Sequence, residues 1–478
     1  MKKSYILPLL LGMAATVTSC EDFLTEQPEH QLTIDNAALN YTGAKNLVNG
    51  IYGRYIANSS LGGDLYGKWH DMAGLWNYNS MMINMAYTQT NNNTAGIWKS
   101  WYDVVNATNA AITGITGLAD DRYPNAAAKN ALLAEARFFR GYAFLHLMWG
   151  FAHWFDPADS PYGLIYRDKP AELSNLMTER ISVGDSYKRI IDDLEFAEKY
   201  LPDFNNPRHV SKQFAQAMHA KLLLYRGWDG DYADALILVN DILSNAPAKF
   251  RMEPVLADLY DKAWDSEELL FGRYLGDGSS FSYSEFTYSY GLYYNNEFTE
   301  IPQEWLEADP RYAVTFGNAR SPETWQDQRK DGIPVKLYHR GRYEGMDDKY
   351  TSYNFRYAEL YIMKAELLAR TNPSDISGAL AQLNEMRATY TDPVVPAITG
   401  VSTLPQLMDE IFKEYVVTLI MENESPWFAA VRIEHGGRPW IYTLKPDVNF
   451  STNQYCWPIP DEEIKAHSNK IDQNPDLE

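Results

Sequence analysis

The segment from Ala126 to Phe151 constrains the fold of this chain more than any other. Leu132, Leu133, Ala136, Phe139, Tyr142, Ala143, Leu147 and Met148 recur three or four residues apart and form one broad apolar face, the pattern of a helix packed against other helices. The same period marks Asn36–Tyr55, Ile97–Leu118, Asp185–Leu201, Ser211–Trp228, Tyr232–Leu243, Phe355–Arg370, Ser377–Arg387 and Leu404–Met421. Ser211 and Ser374 stand where helices need an N-cap. The chain is therefore read as mainly α.

Two pairs of these helices share a plan. Lys212–Leu243 reads as a helix, a tight turn from Gly227 to Gly230, and a second helix opening Asp231-Tyr232-Ala233-Asp234-Ala235. Phe355–Arg387 repeats it, with Ala365 and Ala369 late in the first helix and Ala379 early in the second. Small residues at such places let paired helices approach closely, as in tetratricopeptide-like hairpins. A degenerate helical-repeat scaffold is expected.

A second kind of constraint lies before these helices. Lys2 and Lys3, an apolar stretch from Ile6 to Gly12, and small residues up to Val17-Thr18-Ser19-Cys20 follow the layout of a secretory signal. The apolar run is shorter than the ~20 residues that span a bilayer. A small-residue run closing on cysteine resembles a lipobox, so residues 1–19 are read as a leader and Cys20 as the acylated residue. Residues 20–35 then form a tether, and 36–478 one globular domain with an N-terminal part (36–228) and a C-terminal part (229–478). Only one other cysteine exists, Cys456, which leaves no intramolecular disulfide, so an extensive core must hold the body. The formal charge is −21, or −23 without Lys2 and Lys3. Such an acidic chain is a poor nucleic-acid binder and lacks a basic patch for anionic lipid. Membrane attachment would rest on the acyl groups, and stable attachment on more than one.

The aromatic residues are mostly polar-edged: 34 Tyr and 13 Trp against 19 Phe. Many pack between helices, but three segments concentrate them differently. Gly62–Gly96 carries Trp69, Trp76, Tyr78 and Tyr87 among Asn77, Asn79, Asn84, Asn91, Asn92 and Asn93. Asp277–Asn296 carries Phe281, Tyr283, Phe286, Tyr288, Tyr290, Tyr293 and Tyr294 among Ser, Gly and Thr. Gly317–Asp348 is charged and turn-rich and includes Trp325. All three read as long loops carrying short strands, the usual seat of binding on a helical frame.

Several short runs carry a resemblance over nearly the whole length. They are Cys20-Glu21-Asp22-Phe23-Leu24; Trp98-Lys99-Ser100-Trp101-Tyr102 with Asn106 and Asn109; and Ala134-Glu135-Ala136-Arg137-Phe138-Phe139-Arg140-Gly141-Tyr142. They continue at Arg180-Ile181-Ser182-Val183, Ile190-Ile191-Asp192-Asp193-Leu194, Arg356-Tyr357-Ala358-Glu359-Leu360-Tyr361 with Ala365-Glu366, and Pro458-Ile459-Pro460 with Gln473-Asn474-Pro475. In these the sequence resembles the SusD/RagB family of Bacteroidetes surface nutrient-binding lipoproteins. One block departs: where the family carries an Arg and an Asp, Asn423-Glu424-Ser425-Pro426-Trp427-Phe428-Ala429-Ala430 holds Pro426 and Ala429. Losing both partners of a buried pair can be nearly neutral, whereas losing one strands a charge.

The resemblance implies a SusD-like helical fold, a lipid anchor at Cys20, a place on the outer face of the outer membrane, and a SusC-like TonB-dependent transporter as partner. It also implies a glycan or peptide ligand held by loops. Sugar rings offer CH faces to aromatic side chains and hydroxyls to amides, so Trp76, Tyr78, Asn79, Tyr288, Tyr290 and Trp325 are the candidate ligand contacts, while Trp98 and Trp101 are read as core. Oligosaccharide is the first reading. Peptide is the alternative, with a broader site that uses backbone hydrogen bonds, and a hydrolase is a third.

Glycoside hydrolysis needs two carboxylates flanking the bond, and nothing singles out a pair; Glu267-Glu268 and Asp347-Asp348 read as solvated charge. No Gly-x-Ser-x-Gly elbow, phosphate loop or His-Glu-x-x-His motif is present. His146 and His153, seven apart beside Trp149 and Trp154, read as packing residues rather than metal ligands, and Cys456 as a buried thiol. The chain is read as a non-catalytic binder without cofactor or metal.

Overall fold

A computed structural model describes residues 38–275, 298–315, 336 and 350–478, apart from Tyr78, Asn92, Leu173 and Asn469. The order is α1 (Tyr41–Ile56), α2 (Gly63–Ala73), α3 (Ser80–Ile83), α4 (Ala95–Gly117), α5 (Ala126–Phe151), α6 (Val183–Tyr200), α7 (Lys212–Arg226), α8 (Asp231–Asn245), α9 (Leu256–Lys262) and β1 (Leu269–Leu275). It continues with α10 (Glu300–Ala308), α11 (Tyr312–Thr315), β2 (Tyr350–Arg356), α12 (Tyr357–Thr371), α13 (Ile376–Thr389), α14 (Leu404–Leu419) and α15 (Ser425–Arg432). The last elements are β3 (Glu434–His435), β4 (Arg438–Pro439), α16 (Ile441–Leu444) and α17 (Asp461–Ala466). The protein is mainly α. None of the described helices is long and apolar enough to cross a membrane.

Caps set several helix starts: the side chains of Asn40, Asn125, Ser182, Ser211 and Thr403 each accept a backbone N–H from the first turn. The cap expected at Ser374 falls one residue later, where Asp375 accepts the Gly378 N–H. Helix α5 is the spine, packed between α4 and α6. Arg137 and Arg140 on one turn of α5 both grip Asp193 of α6, with Nε–Oδ distances of 2.6 and 2.7 Å. The hairpins α7–α8 and α12–α13 form as expected and stack through α8 against α12, while α14 packs on α12 and α15. Gly227 and Gly230 adopt φ of +65° and +88°, which a tight turn requires and which glycine alone adopts freely.

A short antiparallel ribbon pairs β1 with β2 from Leu269↔Arg356 to Leu275↔Tyr350. Its inner face shows where many polar-edged rings go: the Asn354 side-chain nitrogen lies 2.6–3.2 Å from the buried hydroxyls of Tyr55, Tyr66 and Tyr142.

Two expectations are corrected here. Gly62–Gly96 is a loop only in part, because α2 and α3 occupy Gly63–Ala73 and Ser80–Ile83 and leave bridges at Trp76 and Thr88 in place of strands. Leu65, Tyr66, Trp69, Met72 and Ala73 recur at helical spacing and are buried; the amides that suggested a loop begin only after Gly74. Glu268 is fully buried rather than solvated, and accepts from Arg356 at 2.6 Å and from the Glu253 N–H at 3.0 Å. Asp347, Asp348 and nearly all of the other two aromatic or charged segments lie outside the described residues.

At the block that departs from the family pattern, Ser425–Arg432 is helical with Pro426 in its first turn, and Ala429 and Ala430 are fully buried. Proline costs nothing in a first turn, whose N–H groups have no intrahelical partner.

Candidate functional site

Helix α2 ends where the first candidate ligand residues begin. Gly74 takes φ +74°. Its N–H and that of Leu75 reach back to the Asp71 and His70 carbonyls at 3.0 Å each, a Schellman ending. The chain then runs through Trp76 to Asn79, whose N–H is caught by the Asp71 carboxylate at 3.0 Å. The Asn79 side-chain oxygen accepts from Met81 and Met82 at 3.1 and 3.3 Å and so starts α3. Asp71 and Asn79 thus bracket a fixed bend.

A segment from far along the chain closes on this bend. Trp76 and Phe298 form an isolated antiparallel bridge, with their rings edge to face at a 4.7 Å centroid separation. The Thr299 hydroxyl donates to the Gly74 carbonyl, 225 residues away in sequence, and the Thr299 N–H donates to the Leu75 carbonyl at 3.4 Å. From Thr299 the chain enters α10, whose Trp305 ring packs on Phe412 and Trp440 at 5.9 and 5.4 Å. Phe298 and Thr299 directly follow the tyrosine-rich segment. The amide-and-aromatic stretch after α2 and the root of the tyrosine-rich stretch therefore meet at one junction.

Of the candidate ligand residues, Trp76 is 2% exposed. The ring expected to stack on a ligand is instead covered by protein, because Phe298 seals it. Asn79 is half-buried, and its oxygen serves as the α3 cap. Tyr78, Tyr288, Tyr290 and Trp325 lie outside the described residues, as does Cys20. Asp71, Phe298 and Thr299 were not singled out in the sequence. Asp71 could have been flagged as a carboxylate inside an apolar helical period, whereas nothing local marks Thr299.

The other chemistry-bearing residues are packed. His146 stacks on Trp101 at 4.5 Å and 6°, with Trp69 stacked at 5.9 Å, and burial holds its imidazole well below the ordinary range. His153 faces Asp156 at 3.1 Å between the rings of Phe155 and Tyr162. Cys456 is buried, which pushes its thiol up. Among the described residues no group of three or more His, Cys, Asp or Glu is arranged to hold a metal ion. Trp98 and Trp101 are core residues.

Comparison with known proteins adds the following. A family model described as "Starch-binding associating with outer membrane" matches residues 22–224, and one described as "SusD family" matches residues 332–476. No curated protein matches the chain. A SusD superfamily structure from Bacteroides thetaiotaomicron superposes with a TM-score of 0.70 at 20% identity, over 91% of this chain and 100% of that one. One from Parabacteroides distasonis gives 0.72 at 18%, over 93% and 100%. A SusD-like carbohydrate binding protein from Bacteroides vulgatus gives 0.63 at 16%, over 90% and 97%. At these identities the likeness is one of fold.

Proposed function

The chain belongs to the SusD/RagB family, and we propose from this that it is a non-catalytic binding lipoprotein, anchored through Cys20 on the outer face of the outer membrane. It captures oligosaccharide or polysaccharide and hands it to a SusC-like TonB-dependent transporter. The observation that carries the ligand reading is the junction at Trp76, Phe298 and Thr299. It brings the stretch leading to Asn79 against Phe298 and Thr299, and beside Asn79 the proposed ligand contacts are Tyr78, Tyr288, Tyr290 and Trp325, which lie outside the described residues. Trp76 serves this surface from beneath, as the buried ring on which Phe298 sits. The non-catalytic reading rests on the family match.

Affinity electrophoresis of the purified full-length protein through gels containing single polysaccharides tests it. Retardation on at least one glycan, reduced several-fold in Tyr288→Ala and Tyr290→Ala, is expected. Unchanged mobility on every glycan of a broad panel would sink the glycan reading.

A further inference from the structure

We propose that Lys445 is a positioning residue for the candidate contact Asn79, setting the backbone on either side of Trp76 through the C-terminal end of α2. The proposal rests on the reading of Asn79 as part of the ligand site. Lys445 follows α16 directly and is 4% exposed. The Schellman ending uses the His70 and Asp71 carbonyls, and the next one, Met72, is taken by the Lys445 ammonium at 2.8 Å. Its stem lies against the left-handed turn: a Cβ on Gly74 would stand 2.6 Å from Lys445 Cγ and 3.3 Å from the Leu444 carbonyl oxygen. Asp71 supplies the neighbouring opposite charge, and the same carboxylate holds the Asn79 N–H. Charge on Lys445 therefore acts on both points that fix Leu75 and Asn79, the last turn of α2 and Asp71.

A lysine that only capped a helix would serve as well from the surface. Burial gives this one a second property. Desolvation brings its pKa down from 10.5 to about 7, with Asp71 opposing the fall. Near neutral pH its charge is therefore poised to change. On α2 the other ionisable groups nearby in sequence are Lys68, one turn earlier, and His70, which burial lowers to about 4 and which is engaged with Tyr66 and Met421. Phe298 and Thr299 bring none, and Asp447 follows on the segment that carries Lys445.

The test needs no ligand. The full chain is labelled with 5-fluorotryptophan, and the Trp76 signal is assigned by its loss in Trp76→Phe. Between about pH 5.5 and 8.5 that signal is expected to titrate with a midpoint near 7, above the range in which His70 changes charge. Lys445→Met keeps the stem and should hold the signal at its high-pH position throughout. Lys445→Arg keeps the charge and should hold it at the low-pH position. Asp71→Asn preserves an acceptor for Asn79 and should lower the midpoint. A signal flat across this range, or an unchanged midpoint in Lys445→Met, overturns the proposal. Should Lys445→Met fail to fold, Asp71→Asn decides alone, and an unmoved midpoint there also overturns it. The glycan reading is decided separately by the gel experiment.

Discussion

His70 carries the sharpest residue-scale consequence. Its Nδ1–H donates to the Tyr66 carbonyl, and its Nε2 accepts the Met421 N–H at 3.0 Å. Both bonds require the neutral Nδ1–H tautomer. Met421 sits at φ +66°, a conformation a non-glycine residue keeps only when held. Burial lowers the imidazole from 6.5 to about 4. For a base whose folded pKa is depressed, the unfolded chain takes up the proton first as pH falls. Its contribution is thus complete above 6.5 and is lost progressively between 6.5 and about 4. The loss approaches ~3 kcal/mol, at about 1.4 kcal/mol per unit. Denaturant unfolding at stepped pH should show the wild-type stability falling through this window. His70→Gln should be less stable at pH 7, because the bridge to Met421 is broken, yet flatter toward acid by about that amount. The difference between the two curves isolates His70 from His146 and His153, and parallel curves would refute this account.

At the scale of elements, the hairpins and the spine were legible because helical period is local: the apolar spacing of residues 126–151 returns as α5 with the same bounds. What joins elements was not legible. Arg137, Arg140 and Asp193 sit in two runs quoted separately from the sequence, and only folding makes them one clamp. Trp76 was misread as a ligand contact because its amide neighbours are local while its covering partner, Phe298, is not. The buried group linking α7, α12 and the start of α15 is a further example. Lys221, fully buried, lies 3.0 Å from Glu359 and 2.5 Å from Glu424. Asn423 donates to Glu359 at 2.8 Å, and the Ser425 hydroxyl donates to the same carboxylate. The departing block thus keeps buried charge, but routes it to Lys221. Removing the lysine alone strands two carboxylates, and Lys221→Met should cost ~3–5 kcal/mol. Adding Glu359→Gln and Glu424→Gln should recover a large part of that loss, since a neutral network has no ion left unpaired. Urea midpoints of the single and triple variants measure this, and a triple variant no more stable than Lys221→Met would show that packing, not charge, dominates.

For the whole molecule, the question is what keeps distant parts in register around the candidate surface, and the closing residues of the sequence do much of it. Asn474, fully buried, donates to the Phe151 and Trp457 carbonyls at 2.9 and 3.1 Å and accepts from Arg180 at 2.8 Å. Gln473 accepts the Ile459 N–H at 2.9 Å, and the Leu477 carbonyl takes the Gln89 N–H at 3.0 Å. One short segment therefore ties the end of α5, the connection before α6 and the stretch after α3. Asn474→Ala leaves two buried carbonyls and a guanidinium short of partners, a loss of ~3 kcal/mol. Deleting residues 473–478 also exposes the site of Leu477, another ~2 kcal/mol. Denaturant unfolding should rank wild type, Asn474→Ala and the deletion in that order. Hydrogen exchange adds a spatial check: the Gln89 amide should lose protection in the deletion. The Asn79 amide should not, because Asp71 holds it, and Thr299 and Lys445 brace the bend independently of the closing segment. Equal loss at both amides would mean that the bend and the closing segment form one cooperative unit, and the separate bracing argued for α2 would fail.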